Sequence, residues 1–114
     1  MKILWMSRHR PLSSQVVELK HHFGEGVVVE QDPRPFDNAE VVARRFKEGG
    51  FDDMVVVAPL SVIDHLCRMG LKPLWAEMIE ETDPRKIEVR ARNTGYRFSR
   101  FRRVKSVRLE FEEL

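Results

Sequence analysis

Cysteine is nearly absent: Cys67 is the only one in 114 residues. An intrachain disulfide is therefore excluded, and a reducing compartment is expected. Cys67 itself, on an apolar helical face, reads as a small buried hydrophobe. Metal-ligand spacing is missing too. There is no Cys-x-x-Cys or His-Glu-x-x-His, the adjacent His21 and His22 diverge on a helix, and His65 has no histidine four residues on. No metal is expected. The first strand is not followed by Gly-x-Gly-x-x-Gly, and no Gly-Lys-Ser loop occurs, which argues against dinucleotide oxidoreductases and nucleoside triphosphatases. No apolar run approaches the ~20 residues of a membrane span. The opening "MKILWM" meets charge too soon for a signal peptide, whose apolar region runs to about 7–15 residues. The expectation is a cytoplasmic protein with no cofactor and no membrane partner.

What is present is a charge-rich globular composition, 42% hydrophobic and 33% charged, in a length that suits one domain. The net charge of +2 conceals strong segregation. Residues 1–84 carry 10 basic and 14 acidic side chains, and residues 85–108 carry 10 basic and one acidic, Glu88; residues 109–114 carry three acids. The resulting charges are −4, +9 and −3, so the basic segment, more than the net charge, sets the potential that an anionic partner would meet.

Hydrophobic periodicity predicts three strand–helix repeats. "KILWM" (2–6) has the unbroken apolar character of a strand buried on both faces. Leu12, Val16, Leu19 and Phe23 then recur at helical spacing, with Ser13 as N-cap, Leu12 and Val17 as a staple and Gly24 as the stop. "GVVVE" (26–30) is the second strand. Asp37–Glu40 has the form of a capping box with Phe36 and Val41 as its staple, opening a helix whose stripe is Ala39, Val42, Ala43 and Phe46 before Gly49-Gly50. "DMVVVA" (53–58) is the third strand, and Ser61 caps a helix with Val62, Ile63, Leu66 and Met69 inward. "KPLWAEMIEE" supplies a fourth strand.

The pattern then changes. Ile87, Val89 and Ala91 alternate with charged residues, Asn93-Thr94-Gly95 form a three-residue turn, and Tyr96 and Phe98 resume the alternation. Phe101 is out of phase with Phe98, which predicts a bulge near Ser99-Arg100. Val107, Leu109 and Phe111 predict a last strand. The fold class expected is α/β, a Rossmann-like, mainly parallel sheet flanked by helices, with a core over residues 1–80 and a basic antiparallel β-hairpin extension over 85–112.

In such a sheet, ligands bind beyond the strand carboxyl ends. The polar cluster Ser7-Arg8-His9-Arg10 falls there. His9 is a general acid or base suited to neutral pH, Arg8 stabilises developing negative charge, and Ser7, lacking a Gly-x-Ser-x-Gly elbow, is the weakest of this catalytic set. Arg10, the helix N-terminal Ser13 and Ser14, Arg34 in the second loop and Ser61 in the third are the expected ligand contacts, although for Ser61 taken alone helix capping is the better explanation, since it needs no ligand. A second surface is the hairpin, where Arg92, Arg97, Arg100, Arg102 and Arg103 interleave with Tyr96, Phe98 and Phe101 as a nucleic-acid-binding stripe of phosphate contacts and stacking rings. The same arginines could instead pair with the acids of "EMIEETD" or serve assembly with another chain.

The opening "ILWMSRHRPLSSQ" and the repeat of strand, polar loop and helix as far as "VVVAPLSVIDHL" resemble the CRISPR-associated Rossmann-fold domains, and in particular the small stand-alone ring nucleases. The resemblance covers roughly residues 1–80. It implies a homodimer binding a cyclic oligoadenylate across its two-fold axis, and metal-independent cleavage by the RNA's own 2′-hydroxyl. By position, Ser7, Arg8 and His9 would form the first loop of that site, Arg34 the second and Ser61 the third. The alternatives are an RNA- or DNA-binding module working through the arginine hairpin and a non-enzymatic interaction domain.

Overall fold

The computed structural model describes residues 1–114. Six strands and three helices follow in the order β1 (Lys2–Met6), α1 (Ser13–Phe23), β2 (Val28–Asp32), α2 (Ala39–Glu48), β3 (Asp53–Val56), α3 (Leu60–Arg68), β4 (Leu74–Glu80), β5 (Val89–Ala91) and β6 (Thr94–Arg103). They build one sheet of order β2-β1-β3-β4-β6-β5. The sheet is mixed, not mainly parallel. Strands β2, β1, β3 and β4 run parallel, whereas β6 is antiparallel to both β4 and β5. The reason lies in residues 81–88, which contain no crossover helix. A parallel neighbour needs such a crossover, so β6 returns beside β4 antiparallel through the hairpin.

Alternation along the central strands distributes the core between two layers. Ile3 and Trp5 of β1 join Leu19, Val27, Val55 and Leu74 under α1. Leu4 and Met6 face the other way, toward Ala39, Val42, Met54, Val56, Val62, Ile63 and Leu66 under α2 and α3. Burial on both faces explains the uninterrupted apolar reading of β1. With α1 on one face and α2 and α3 on the other, the chain reverses direction between β1 and β3, and the loops after these strands open at that switch point.

Several local expectations shift. Helix α1 is capped at Leu12, not Ser13, because the buried Gln15 accepts the Leu12 N–H at 2.7 Å. Val17 is 65% exposed and takes no part in a staple. The N-cap of α2 is Asn38, not Asp37, with its side chain accepting the Val41 N–H at 3.0 Å. Helix α3 starts after Pro59, which leaves Ser61 in the first turn and exposed. Cys67 is half-buried, and burial pushes its thiol pKa up.

The hairpin turn has two residues, not three. Arg92 and Asn93 both have positive φ, the geometry whose twist matches the flanking strands, and pairing resumes at Ala91↔Thr94. Gly95 cannot carry a side chain, since a Cβ there would run into Ile87 and stand 2.9 Å from the Glu81 carbonyl. The bulge is present: Glu77 pairs with Arg100 and Met78 with Phe98, so Ser99 is the extra residue. The last predicted strand is not formed. The hairpin extension therefore ends at Arg103 instead of 112, and Leu109 and Phe111 lie 71% and 86% exposed. No helix is long and apolar enough to cross a membrane.

Candidate binding site at the strand carboxyl ends

Three loops meet beyond β1, β2 and β3 and enclose a cleft of about 410 Å³. The first contributes Ser7, Arg8 and His9, the second Pro33 to Phe36, and the third Val57 and Pro59. A neighbouring hollow of about 770 Å³ between β2 and α2 is larger, but its three cations, Arg34, Arg44 and Arg45, are matched by Glu30, Asp32 and Glu48, so it has no charge preference.

The first loop is held from beneath. The Trp5 indole N–H donates to the His9 carbonyl at 2.9 Å. Gln31 Nε2 donates to the Ser7 and Arg8 carbonyls at 3.1 and 3.3 Å, and the Ser7 hydroxyl oxygen accepts the His9 N–H at 3.1 Å. With these backbone groups satisfied inward, the Arg8 and His9 side chains are left exposed at the cleft. Neither Arg8 nor Arg10 has a carboxylate partner.

Arg34 is differently placed. Its guanidinium holds Asp32 in a fork at 2.9 and 2.7 Å while remaining 67% exposed. That bond keeps the Asp32 carboxyl below its usual pKa despite partial burial. Arg45 clamps the same loop, donating to the Arg34 and Pro35 carbonyls at 3.1 and 3.0 Å. Arg34 thus faces the cleft with its charge already balanced, and Arg8 is the uncompensated cation there.

Of the other expected contacts, Arg10, Ser13, Ser14 and Ser61 do not line the cleft. Ser14 is engaged elsewhere: its hydroxyl donates to Glu88, which also accepts the Phe98 N–H at 2.8 Å. A carboxylate from the hairpin loop therefore already sits at the positive end of α1. No group of three or more His, Cys, Asp and Glu side chains is placed to hold a metal ion.

The hairpin does not present the stripe expected of it. Arg97 pairs with Glu81 at 2.9 Å, Arg100 and Arg102 share Glu77 at 3.2 and 3.1 Å, and Arg103 forks onto Asp53 with two bonds of 2.7 Å. Glu77 and Glu81 are held below the usual carboxylate range, Glu77 chiefly by its bond from Arg102 and Glu81 by the Asp83 N–H. Phe98 and Phe101 lie on the α1 face, which Arg103 shares, and away from Arg100 and Arg102. Phe98 is buried, and Phe101 packs edge-on to Trp5 at 6.2 Å and against Phe98 at 4.8 Å, so neither is free to stack on a base. Arg92 stays exposed at the turn.

No family model matches this chain, and no curated protein or solved structure matches it either. Strand-end position singles out Gln31 and Asp32 together with Arg34, because all three fall at the end of the second strand or in the loop after it, entering the same edge as Arg8; the residues passed over are Trp5 and Arg45. Trp5 and Arg45 act through backbone carbonyls, which leave no trace in residue type.

Proposed function

We propose that the cleft beyond β1, β2 and β3 binds the phosphates of a cyclic oligoadenylate and that the protein cleaves this ring without a metal. The observation carrying this reading is the first loop, whose carbonyls are tied down by Trp5 and Gln31 while an unpaired Arg8 and an exposed His9 stand at the switch point. Arg8 holds a phosphodiester and stabilises the charge that develops on it. His9 assists proton transfer as the ring's 2′-oxygen bonds to phosphorus and the 5′-oxygen leaves protonated. Positioning supplies the remainder, because nucleophile and leaving group belong to one ligand. A homodimer would present each loop twice about its axis, matching a ring of the same symmetry.

A melting experiment with cyclic tetra- and hexa-adenylate, followed by chromatography of the incubated nucleotide, tests both parts. Binding to the native state must raise the melting temperature by mass action, roughly 2.7 kcal/mol at a hundred times Kd. The expected result is a shift with linear products, with Arg8→Ala losing the shift and keeping its ligand-free melting point. A shift without products would make the protein a sensor, and no shift with either ring would remove the reading.

A further inference from the structure

Strands β3 and β4 share a single bridge, Val55↔Leu74. Beyond it β3 continues with β1, where the Val57 N–H donates to the Met6 carbonyl at 3.1 Å, while β4 leaves with its antiparallel partner β6. The fork between them is an apolar hollow of about 140 Å³ whose walls include Val56, Val57, Ile63 and Trp75. Trp75 is 47% exposed, although tryptophan is usually well covered. Leu74 packs under α1, so alternation turns Trp75 to the other face, where α3 stops short and the antiparallel strands have no helix above them. Arg102 lies directly across the ladder from Trp75, and Arg100 lies beside it; Glu77 is the one carboxylate answering both. Val57 lines both this fork and the Arg8–His9 cleft.

A flat aromatic wall next to surplus positive charge, continuous through one shared residue with a cationic cleft, suits a ligand having a planar heteroaromatic part and an anionic part. We infer that the β3–β4 fork is a nucleobase subsite in which Trp75 stacks on a base while the adjoining phosphate reaches the Arg8 cleft. The inference rests on the phosphate-binding reading of that cleft. The hollow is smaller than the usual range for a whole small-molecule ligand, roughly 300 Å³ upward, and so takes one part of a ligand only.

Intrinsic fluorescence tests this directly, since Trp5 is 3% exposed and Trp75 is the accessible indole. The probes are adenosine 5′-monophosphate, ribose 5-phosphate and cyclic tetra-adenylate, on wild type, Trp75→Phe and Trp75→Ala, with circular dichroism confirming the fold of each. Adenosine 5′-monophosphate and the ring should quench the emission, and ribose 5-phosphate should not. Read by the melting shift, since both variants lack the reporting indole, Trp75→Ala should bind the ring roughly tenfold more weakly, within the ~1–3 kcal/mol range for stacking one base, while Trp75→Phe keeps most of the affinity. Ribose 5-phosphate should bind all three proteins alike. If Trp75→Ala holds the ring as tightly as wild type, the base subsite is overturned and the ring reading stands. Quenching by adenosine 5′-monophosphate without any ring binding would keep the subsite and overturn the ring. Absence of quenching by either nucleotide would overturn the subsite.

Discussion

Arg103 donates two bonds of 2.7 Å to Asp53 and a third, of 2.8 Å, to the Lys72 carbonyl. The Asp53 side chain is 11% exposed and that of Arg103 is 39% exposed. The carboxylate raises the guanidinium's pKa still further, so Arg103 keeps its charge. Removing the arginine would strand a nearly buried carboxylate. A fully buried pair broken in this way loses about 3–5 kcal/mol, and solvent at Arg103 reduces that. Arg103→Ala is expected to cost about 2 kcal/mol, measured by urea unfolding; a loss under about 0.5 kcal/mol would show the pair to be incidental. From sequence, Asp53 reads as a polar strand start and Arg103 as part of a basic surface. Their pairing spans the gap between two strands that are not adjacent in the sheet, which no local pattern encodes.

At the level of elements, the first loop is the most constrained irregular segment near the cleft, and Gln31 on β2 does much of the holding. Its amide secures two carbonyls in a chain segment 23 and 24 residues away. Gln31→Ala should leave stability within about 1 kcal/mol, since each such bond contributes only about 0.5–1.5 kcal/mol net. It should weaken ring binding roughly tenfold by letting Arg8 and His9 wander; unchanged affinity, read by the melting shift, would show that the loop needs no support. Elements were legible where periodicity was strong. β1, the stripes of α2 and α3 and the bulge at Ser99 all follow from spacing, whereas boundaries moved where backbone capping decided them, as at Leu12 and Pro59. The final strand failed because alternation in Val107, Leu109 and Phe111 specifies a strand only when a neighbour offers an edge. The site was legible in part for the same reason: the loops announce themselves by position, and Arg34's partner Asp32 is only two residues away, but the burial of Phe98 and the exposure of Trp75 depend on pairing across the sheet.

The whole molecule is a slab 47 by 42 by 24 Å, with a radius of gyration of 15.3 Å against about 13 Å expected for a compact chain of this length. Its acidic groups determine how the molecule meets low pH. Asp32, Glu77, Glu81 and Asp83 all have folded pKa values below the ordinary 3.8 or 4.5, each held there by arginine or backbone N–H donors. The stabilisation they give is complete above the ordinary values and is lost as pH falls through the lower folded ones. The melting temperature should therefore hold steady down to about pH 4.5 and drop below it. In an Arg97→Gln, Arg102→Gln double variant that acid limb should be shallower; an identical limb would mean that these carboxylates do not control it.

The lone bridge at Val55↔Leu74 also makes the sheet a joint between two cooperative blocks. One block is the wound β2-β1-β3 unit with α2 and α3, and the other is the antiparallel trio β4-β6-β5. Between them the backbone supplies almost no hydrogen-bonded cross-links, leaving as fasteners the Arg103–Asp53 fork, the α1 packing layer and the seating of Val104 and Val107 on the α2–α3 core. Opening can then occur along this line without unravelling either block, so amide protons beside it should exchange with solvent sooner than those at the centre of each ladder. A molecule lodged in the gap would act as a rivet, slowing that exchange and drawing two half-independent units into one.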